Sequence, residues 1–483
     1  MHMAIDTTTS TPSVPRPPDS TRLSTRDKLV LFVLCAAQFM VALDFSVLNV
    51  ALPVLGADLG MSPSALQWAV TAFALPSGGF LLLFGRVGDL YGRRKLFLSG
   101  LALFAAASVL ATFAWDPASF LAGRALQGLG AAAIVPTGMS LLTTTFAEGP
   151  ARDRALGISG TLMSLGFTVG MVAGGVLTDV LGWRSTMGLL ALFALIVLPL
   201  APALLPESRT PDRPRLDVPG AVTVTGGLLA VIYALSTAAD HGFGRVDVLV
   251  GLVVGLVLLT VFAVVESRSD APLVSLPMLR RRTVAWGNLG GLVTFSMMST
   301  VIFVLTLYLQ EVLSLSAFRT GLVFGVQGVL SVVAGSFTPR VVARLGARRT
   351  LVVSLAGQGA LVAALLGLGT GGWSVWLATA AVSLASMFHL GAIISYGLTV
   401  TSGVPDAEQG LATGLVTSTQ QVGLTVGIPL LGVLATASDD LLAGVHTVIA
   451  LDAGIVLVAA VLVAVGLRRR ASGAVEAESL GAR

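Results

Sequence analysis

The sequence predicts an all-α protein that crosses a lipid bilayer many times, and three observations carry that prediction. Hydrophobic residues make up 55% of the 483-residue chain and charged residues only 11%, whereas soluble domains carry roughly 25% charged residues. Apolar runs of spanning length recur from one end of the chain to the other. Lys and Arg cluster in alternate connections between those runs, the asymmetry that orients membrane proteins. The 55 glycines suit helices that must approach closely, because lipid gives no hydrophobic drive to hold them together.

A spanning helix needs about 20 mostly apolar residues. On that criterion fourteen spans are expected, at 29–54, 66–84, 96–114, 118–141, 155–178, 185–205, 218–238, 247–265, 284–309, 319–338, 350–369, 373–398, 410–436 and 446–467. With a cytoplasmic N-terminus, the 29 Lys and Arg fall in cytoplasmic connections and tails, except Arg184, Arg245 and Arg319 outside and Arg124 within a span. A missed span would scramble that pattern, so both termini are expected inside a multi-pass protein of the cytoplasmic membrane. Residues 1–27, rich in Thr, Ser and Pro, read as a disordered cytoplasmic tail. They lack the basic and apolar regions of a cleaved signal peptide.

The Pro-rich stretch 206–217 and the stretch 266–283 mark boundaries. The expected organisation is a six-helix bundle at 28–206, a linker with two extra transmembrane helices at 207–283, a second six-helix bundle at 284–467 and a tail at 468–483. An internal repeat supports the two halves. GRVGDLYGRRK at 85–95 aligns with PRVVARLGARR at 339–349, placing Arg86, Val87, Gly92 and Arg94 opposite Arg340, Val341, Gly346 and Arg348. Parallel six-span repeats occur in secondary transporters.

Other classes fit poorly. Basic residues flanking spans explain the net charge of +4, and no basic run is interleaved with aromatics, so nucleic acid is not an expected partner. The single cysteine, Cys35, allows no internal disulfide, and Cys/His metal spacing is absent. No Gly-Lys-Ser/Thr phosphate loop is present. A membrane enzyme would need clustered His, Asp or Glu, and the four histidines form no such cluster. Neither a cofactor nor a metal is expected.

Four motifs resemble one family. GRVGDLYGRRK resembles the signature loop between spans two and three of the major facilitator superfamily. LDFSVLNVALP at 43–53, with Asp44, Asn49 and Pro53, is similar to the first-span motif of its fourteen-span drug:proton antiporter branch. LAGRALQGLGAA at 121–132, with Arg124, Gln127 and Gly128, is similar to the fourth-span motif. GFTVGMVAGG at 166–175 is similar to the fifth-span antiporter motif, with Met171 where the family has proline. The resemblance covers about residues 28–467. It implies the major facilitator fold and proton-coupled efflux of amphipathic organic compounds such as drugs, antibiotics or dyes. Small-molecule substrate, protons and the bilayer are the implied partners of a monomer. Uptake or facilitated passage of a small metabolite on the same fold is the alternative.

The residues carry readings of their own. Asp44 is the one carboxylate deep in the first six spans. A charge there costs about 2.5–3.5 kcal/mol on insertion scales, so it is expected to face the bundle interior. Burial favours its protonated form and a nearby cation its ionised form, which suits a group that loads and releases a proton. Asp44 lies about 24 Å beyond Lys28 at 1.5 Å per residue, a depth similar to that of Arg124, its candidate partner. In the signature loop, Gly85 and Gly92 permit tight turns, and Asp89 can cap a helix or pair with Arg93 or Arg94 across the half-bundle interface. The resemblance makes this loop a latch of the outward-open state. Gly166, Gly170, Gly174 and Gly175 form a small-residue stripe that permits close helix contact, as hinge, seal or packing surface. Polar groups inside apolar spans need a partner or a cavity, so Gln38, Asn49, Gln127 and Gln310 are substrate-binding candidates, as are Gln327, His389 and Gln420. Trp68 and Phe73 are candidates to stack an organic molecule. Asp452, in the last span, is expected near the outer face and in reach of water.

Overall fold

In hydrocarbon an apolar run must close its backbone hydrogen bonds internally, and the chain does so with helices. The computed structural model describes residues 24–61, 63–146, 150–207, 217–242, 244–269, 276–404, 409–436 and 440–468. Most of the expected tails, 1–23 and 469–483, and 208–216 of the first boundary lie outside the described residues. Among the described residues there is no strand.

The first half comprises α1 (Thr25–Leu59), α2 (Pro63–Gly79), α3 (Leu81–Tyr91), α4 (Arg93–Thr112), α5 (Pro117–Thr145), α6 (Pro150–Leu181) and α7 (Arg184–Leu204). Then come α8 (Val218–His241), α9 (Val246–Arg268) and the short α10 (Leu276–Leu279). The second half comprises α11 (Arg282–Leu307) with a π-helical turn Tyr308–Val312, α12 (Ala317–Leu345), α13 (Ala347–Ala364) and α14 (Trp373–Thr401). It ends with α15 (Gln409–Gly427), a second π turn Ile428–Gly432, α16 (Val433–Thr436) and α17 (Leu441–Gly466).

Every expected span coincides with a helix, but the count of fourteen is not reached on length and apolarity. Eleven described helices pass that test, or twelve if α2 and α3, bent by 49°, form one span. The helix at 218–234 is short in its apolar stretch. The run over 409–436 is dense in Gly, Thr and Gln and is interrupted by its π turn.

The repeat extends well beyond the eleven residues that reveal it. The offset that pairs Gly92 with Gly346 also carries Pro63, the start of α2, onto Ala317, the start of α12. Gly92 and Gly346 are each the single residue between two helices, at φ 114° and 79°. A β-carbon is disfavoured there, so the same backbone turn is built twice from the same residue type. α8 and α9 pack on each other, and α8 leans on α2.

The start of α1 and the end of α17 lie at one end of the bundle, here called proximal. Gly466, at the end of α17, packs on Trp286 near the start of α11. At the distal end the halves meet. Gln310 Nε2 donates to the Val50 carbonyl at 2.8 Å, and the Phe318 N–H donates to Asp179 Oδ2 at 3.0 Å. Below these bonds α6 and α12 touch backbone to backbone. A β-carbon on Gly175 would lie 2.6 Å from the Ala317 carbonyl oxygen, and one on Gly321 2.6 Å from that of Met171. Met171 leaves α6 unbroken, with its carbonyl against α12. Contact continues at Gly325 against Val172 and Gly328 against Thr168, whereas a β-carbon on Gly157 would meet nothing within 4 Å. Among the described residues, the closest contacts between the halves lie at the distal end.

Gly321→Val is expected to wedge α6 from α12 and open the distal mouth. A cysteine at Thr168, in a Cys35→Ala background, should then react faster with a membrane-impermeant maleimide applied from the distal side. Equal labelling rates with and without Gly321→Val contradict this.

Candidate functional site

α1 turns Asp44 into the first bundle and α5 turns Arg124 to meet it, both at 0% exposure. Arg124 Nη1 donates to Asp44 Oδ1 at 2.6 Å and to Gln127 Oε1 at 2.9 Å. Its Nε donates to the Ala69 carbonyl of α2 at 3.1 Å. The guanidinium carbon lies 4.6 Å from the centroid of the Phe73 ring. Gln127 Nε2 donates to Ser108 Oγ of α4 at 2.8 Å, and Ser108 donates to the Phe104 carbonyl at 2.7 Å. One arginine therefore ties α1, α2, α4 and α5 together through a planar fork that a lysine lacks.

Local packing makes this reach feasible. A β-carbon on Gly128 would fall 2.1 Å from the Phe73 carbonyl oxygen, so glycine there lets α5 press on α2. That contact brings Arg124, one turn away, to Ala69. Asp44 Oδ2 has no hydrogen-bond partner. The pair is thus half-satisfied on the carboxylate side, and the free oxygen is the atom open to a proton.

The second half carries a polar cluster on the equivalent helices with different chemistry. Thr294 of α11 donates to Gln358 Oε1 of α13 at 2.5 Å, and its oxygen lies 2.8 Å from His389 Nδ1 of α14. A hydroxyl has one hydrogen. With that hydrogen on Gln358, the imidazole donates from Nδ1 and keeps its Nε2 lone pair free. His389 also meets Phe295 edge to face, at 5.4 Å between centroids.

The sequence profile of the Major Facilitator Superfamily matches residues 34–427, spanning both clusters. The chain belongs to that superfamily. It is similar to the cephamycin export protein CmcT of Amycolatopsis lactamdurans, 38% identical over 83% of each chain. It is also similar to the puromycin resistance protein pur8 of Streptomyces alboniger, 37% identical over 93% of each. Among solved structures, the POT family transporter PepTSo shares the fold at a TM-score of 0.69 and 15% identity, covering 91% of this chain and 97% of its own. The chain is accordingly a multi-pass membrane transporter of the major facilitator type.

The remaining candidates of this transporter scatter. In the signature loop Asp89 pairs with Arg93, four residues on, at 2.8 Å, within one half rather than across the interface. Arg94 donates to the Pro202 carbonyl of α7. Gly85 faces Pro136 of α5, and Gly92 leaves room for Glu207. Three of the four stripe glycines, Gly166, Gly170 and Gly174, face α1 through Phe39, Ser46 and Val47, and Gly175 faces α12. Asn49 Nδ2 donates back to the Phe45 carbonyl at 2.7 Å. Ser159 donates to Gln38 Oε1 at 3.3 Å. Gln327 is buried, Gln420 half-buried.

Two aromatic candidates have other neighbours. Phe73 lies under Arg124, and Trp68 faces Tyr233 of α8 with centroids 6.1 Å apart. A cavity of about 630 Å³ opens between α1 and α6, lined by Lys28, Phe32, Cys35 and Arg154 among others, and contains none of the substrate candidates. Asp452 corrects its expectation: it is 0% exposed and away from water. Sequence reading missed Ser108 and Thr294, ordinary hydroxyls that only the fold brings beside Gln127 and His389, and it missed Gly321, Gly325 and Gly328, the α12 side of the inter-half contact.

Arg124→Lys should forfeit the Ala69 bond and lower stability by about 1–3 kcal/mol. Arg124→Leu strands a buried carboxylate and should cost about 3–5 kcal/mol. Thermal unfolding in detergent ranks the two. Equal melting temperatures for wild type and both variants contradict the arrangement.

Proposed function

We propose that this transporter exports amphipathic organic compounds across the cytoplasmic membrane in exchange for protons, by alternating access. The single observation that carries the reading is the Asp44–Arg124 pair, an ionisable couple buried at 0% exposure where hydrocarbon surrounds the bundle. Such groups in transporters mark ion and proton pathways. Relatives named for cephamycin export and puromycin resistance support export as the direction.

Both termini are cytoplasmic in this reading, so the proximal opening faces inward and the distal closure faces out. The helices at 218–241 and 246–268 cross the membrane as an extra pair, giving fourteen crossings and bundles at 28–206 and 284–467. The transporter works as a monomer. In the inward-open state Asp44 is ionised against Arg124, and substrate enters between the halves. After the distal mouth opens, an external proton binds at Asp44 Oδ2, the oxygen that Arg124 leaves free. Neutralising the carboxylate weakens its hold on α5 and favours substrate release. Return to the inward-open state delivers the proton to the cytoplasm as Asp44 re-pairs. Asp89 keeps its bond to Arg93 while the proximal side is open and is free to latch across the halves when that side closes. The glycines on α6 and α12 let the distal seal close and part.

Asp44→Asn is expected to abolish pH-gradient-driven efflux of puromycin and ethidium in inverted vesicles while the protein remains inserted and monodisperse. Asp44→Glu should retain partial coupled efflux. Undiminished gradient-driven efflux in Asp44→Asn sinks the assignment.

A further inference from the structure

Asp452 is the least accounted-for group in the molecule. It sits eleven residues into α17, about 16 Å from the helix start at 1.5 Å per residue, near the middle of a hydrocarbon layer about 30 Å thick. It is 0% exposed, and both carboxylate oxygens are buried without a hydrogen-bond partner. α17 packs on α11, α13, α16 and the turns at their distal ends. The titratable groups of those elements lie toward the ends of the bundle. Arg282, Arg348 and Arg349 are proximal, whereas Tyr308 and Glu311 are distal, as is His446 on α17 itself. Tyr308 donates to the Gly369 carbonyl and His446 Nε2 bonds the Leu368 carbonyl, at 2.5 and 2.9 Å.

The repeat gives this position a meaning. Its register aligns Asp44 of α1 with Met298 of α11. Gly466 packs on Trp286, and following that antiparallel pair upward sets Asp452 level with Thr300. Among the described residues, the two halves therefore hold one buried carboxylate each at matching depth, one clamped by arginine and one bare. A bare carboxylate cannot stay ionised in such surroundings, and native proteins seldom leave a buried polar group unsatisfied without a reason.

We propose that Asp452 is a second proton-binding site, filled from the distal side while α11 stands away from α1, still occupied on distal closure, and emptied toward the proximal side before the mouth reopens. Its cargo is a single proton. A hydronium donates to the carboxylate, forming the O–H bond and leaving water; release reverses this. α11 is the lever, since the same helix continues into the turn whose Gln310 seals the distal mouth against Val50. Proton binding stands on the geometry alone, and only its part in transport rests on the antiport reading above.

Infrared spectra of the reconstituted full chain, recorded as pH is stepped, test the binding. The protonated-carboxyl C=O absorption that titrates reversibly in wild type should lose one component in Asp452→Asn, and that same component should survive in Asp44→Asn. A band that never titrates, or one unaffected by Asp452→Asn, overturns the proposal. Zero-flux measurements with opposing pH and puromycin gradients in proteoliposomes test the role. Asp452→Asn and Asp452→Leu should each move the balance point by one proton fewer per cycle while folding as wild type by size exclusion. An unmoved balance point in both variants refutes the coupling role. Wild type indifferent to the pH gradient refutes the antiport reading instead, and leaves the infrared result to decide proton binding.

Discussion

Hydrocarbon offers no hydrogen bond and no counter-charge, so every polar atom within the membrane must find its partner inside the protein. That constraint shapes the fold before it shapes the site. It makes the chain helical and fixes its basic residues to one side of the span pattern. It also gathers some of the buried polar side chains into compact clusters, one around Arg124 and one around Thr294. Arg124 answers it most fully. One guanidinium reaches a carboxylate, an amide, a carbonyl and an aromatic face, and in doing so it holds four helices of the first bundle. An ion pair so placed adds little net stability over an apolar replacement. Its presence is better explained by what it does when a proton arrives.

The second constraint is distance between backbones. Without a hydrophobic drive between helices, contact must come from shape. The seam between the halves at α6 and α12 is glycine against carbonyl oxygen. Surfaces that smooth can separate and re-form by breaking only the few hydrogen bonds at their distal rim, Phe318 to Asp179 and Gln310 to Val50, which suits a seal that opens once per cycle. The asymmetry between the halves points the same way. Equivalent helices carry Asp44, Ser108 and Arg124 in one half, and Thr294, Gln358 and His389 in the other. One cluster holds a charge, whereas the other offers neutral donors and acceptors beside aromatic rings, a chemistry suited to an organic molecule. Repetition builds the scaffold, and divergence between equivalent helices divides the labour.

Much of this was legible in the sequence, for identifiable reasons. Spans are long and periodic in hydropathy, so their positions survive any error in packing. The signature loop revealed the repeat because glycine at a positive φ leaves a fixed mark, seen at Gly92 and again at Gly346. The depths of Asp44 and Arg124 followed from helix rise alone. What sequence could not convey was which face each helix turns inward. Trp68 and Phe73 read as binding aromatics, and packing alone places one beside Tyr233 of α8 and the other under the arginine. Asp452 lay near a span end by residue count but is enclosed once α17 packs. Ser108 and Thr294 carry no signal of their own, since a buried hydroxyl often bonds only its own helix.

The central claim is that a proton and a substrate compete through Asp44. Proton release by the purified chain in weakly buffered detergent solution, followed with a pH-indicator dye, tests it without gradients or vesicles. Adding puromycin to wild type should release protons in proportion to bound substrate, and adding it to Asp44→Asn should bind puromycin with markedly reduced release. Puromycin binding to wild type with no proton release, or equal release from both proteins, would contradict the account.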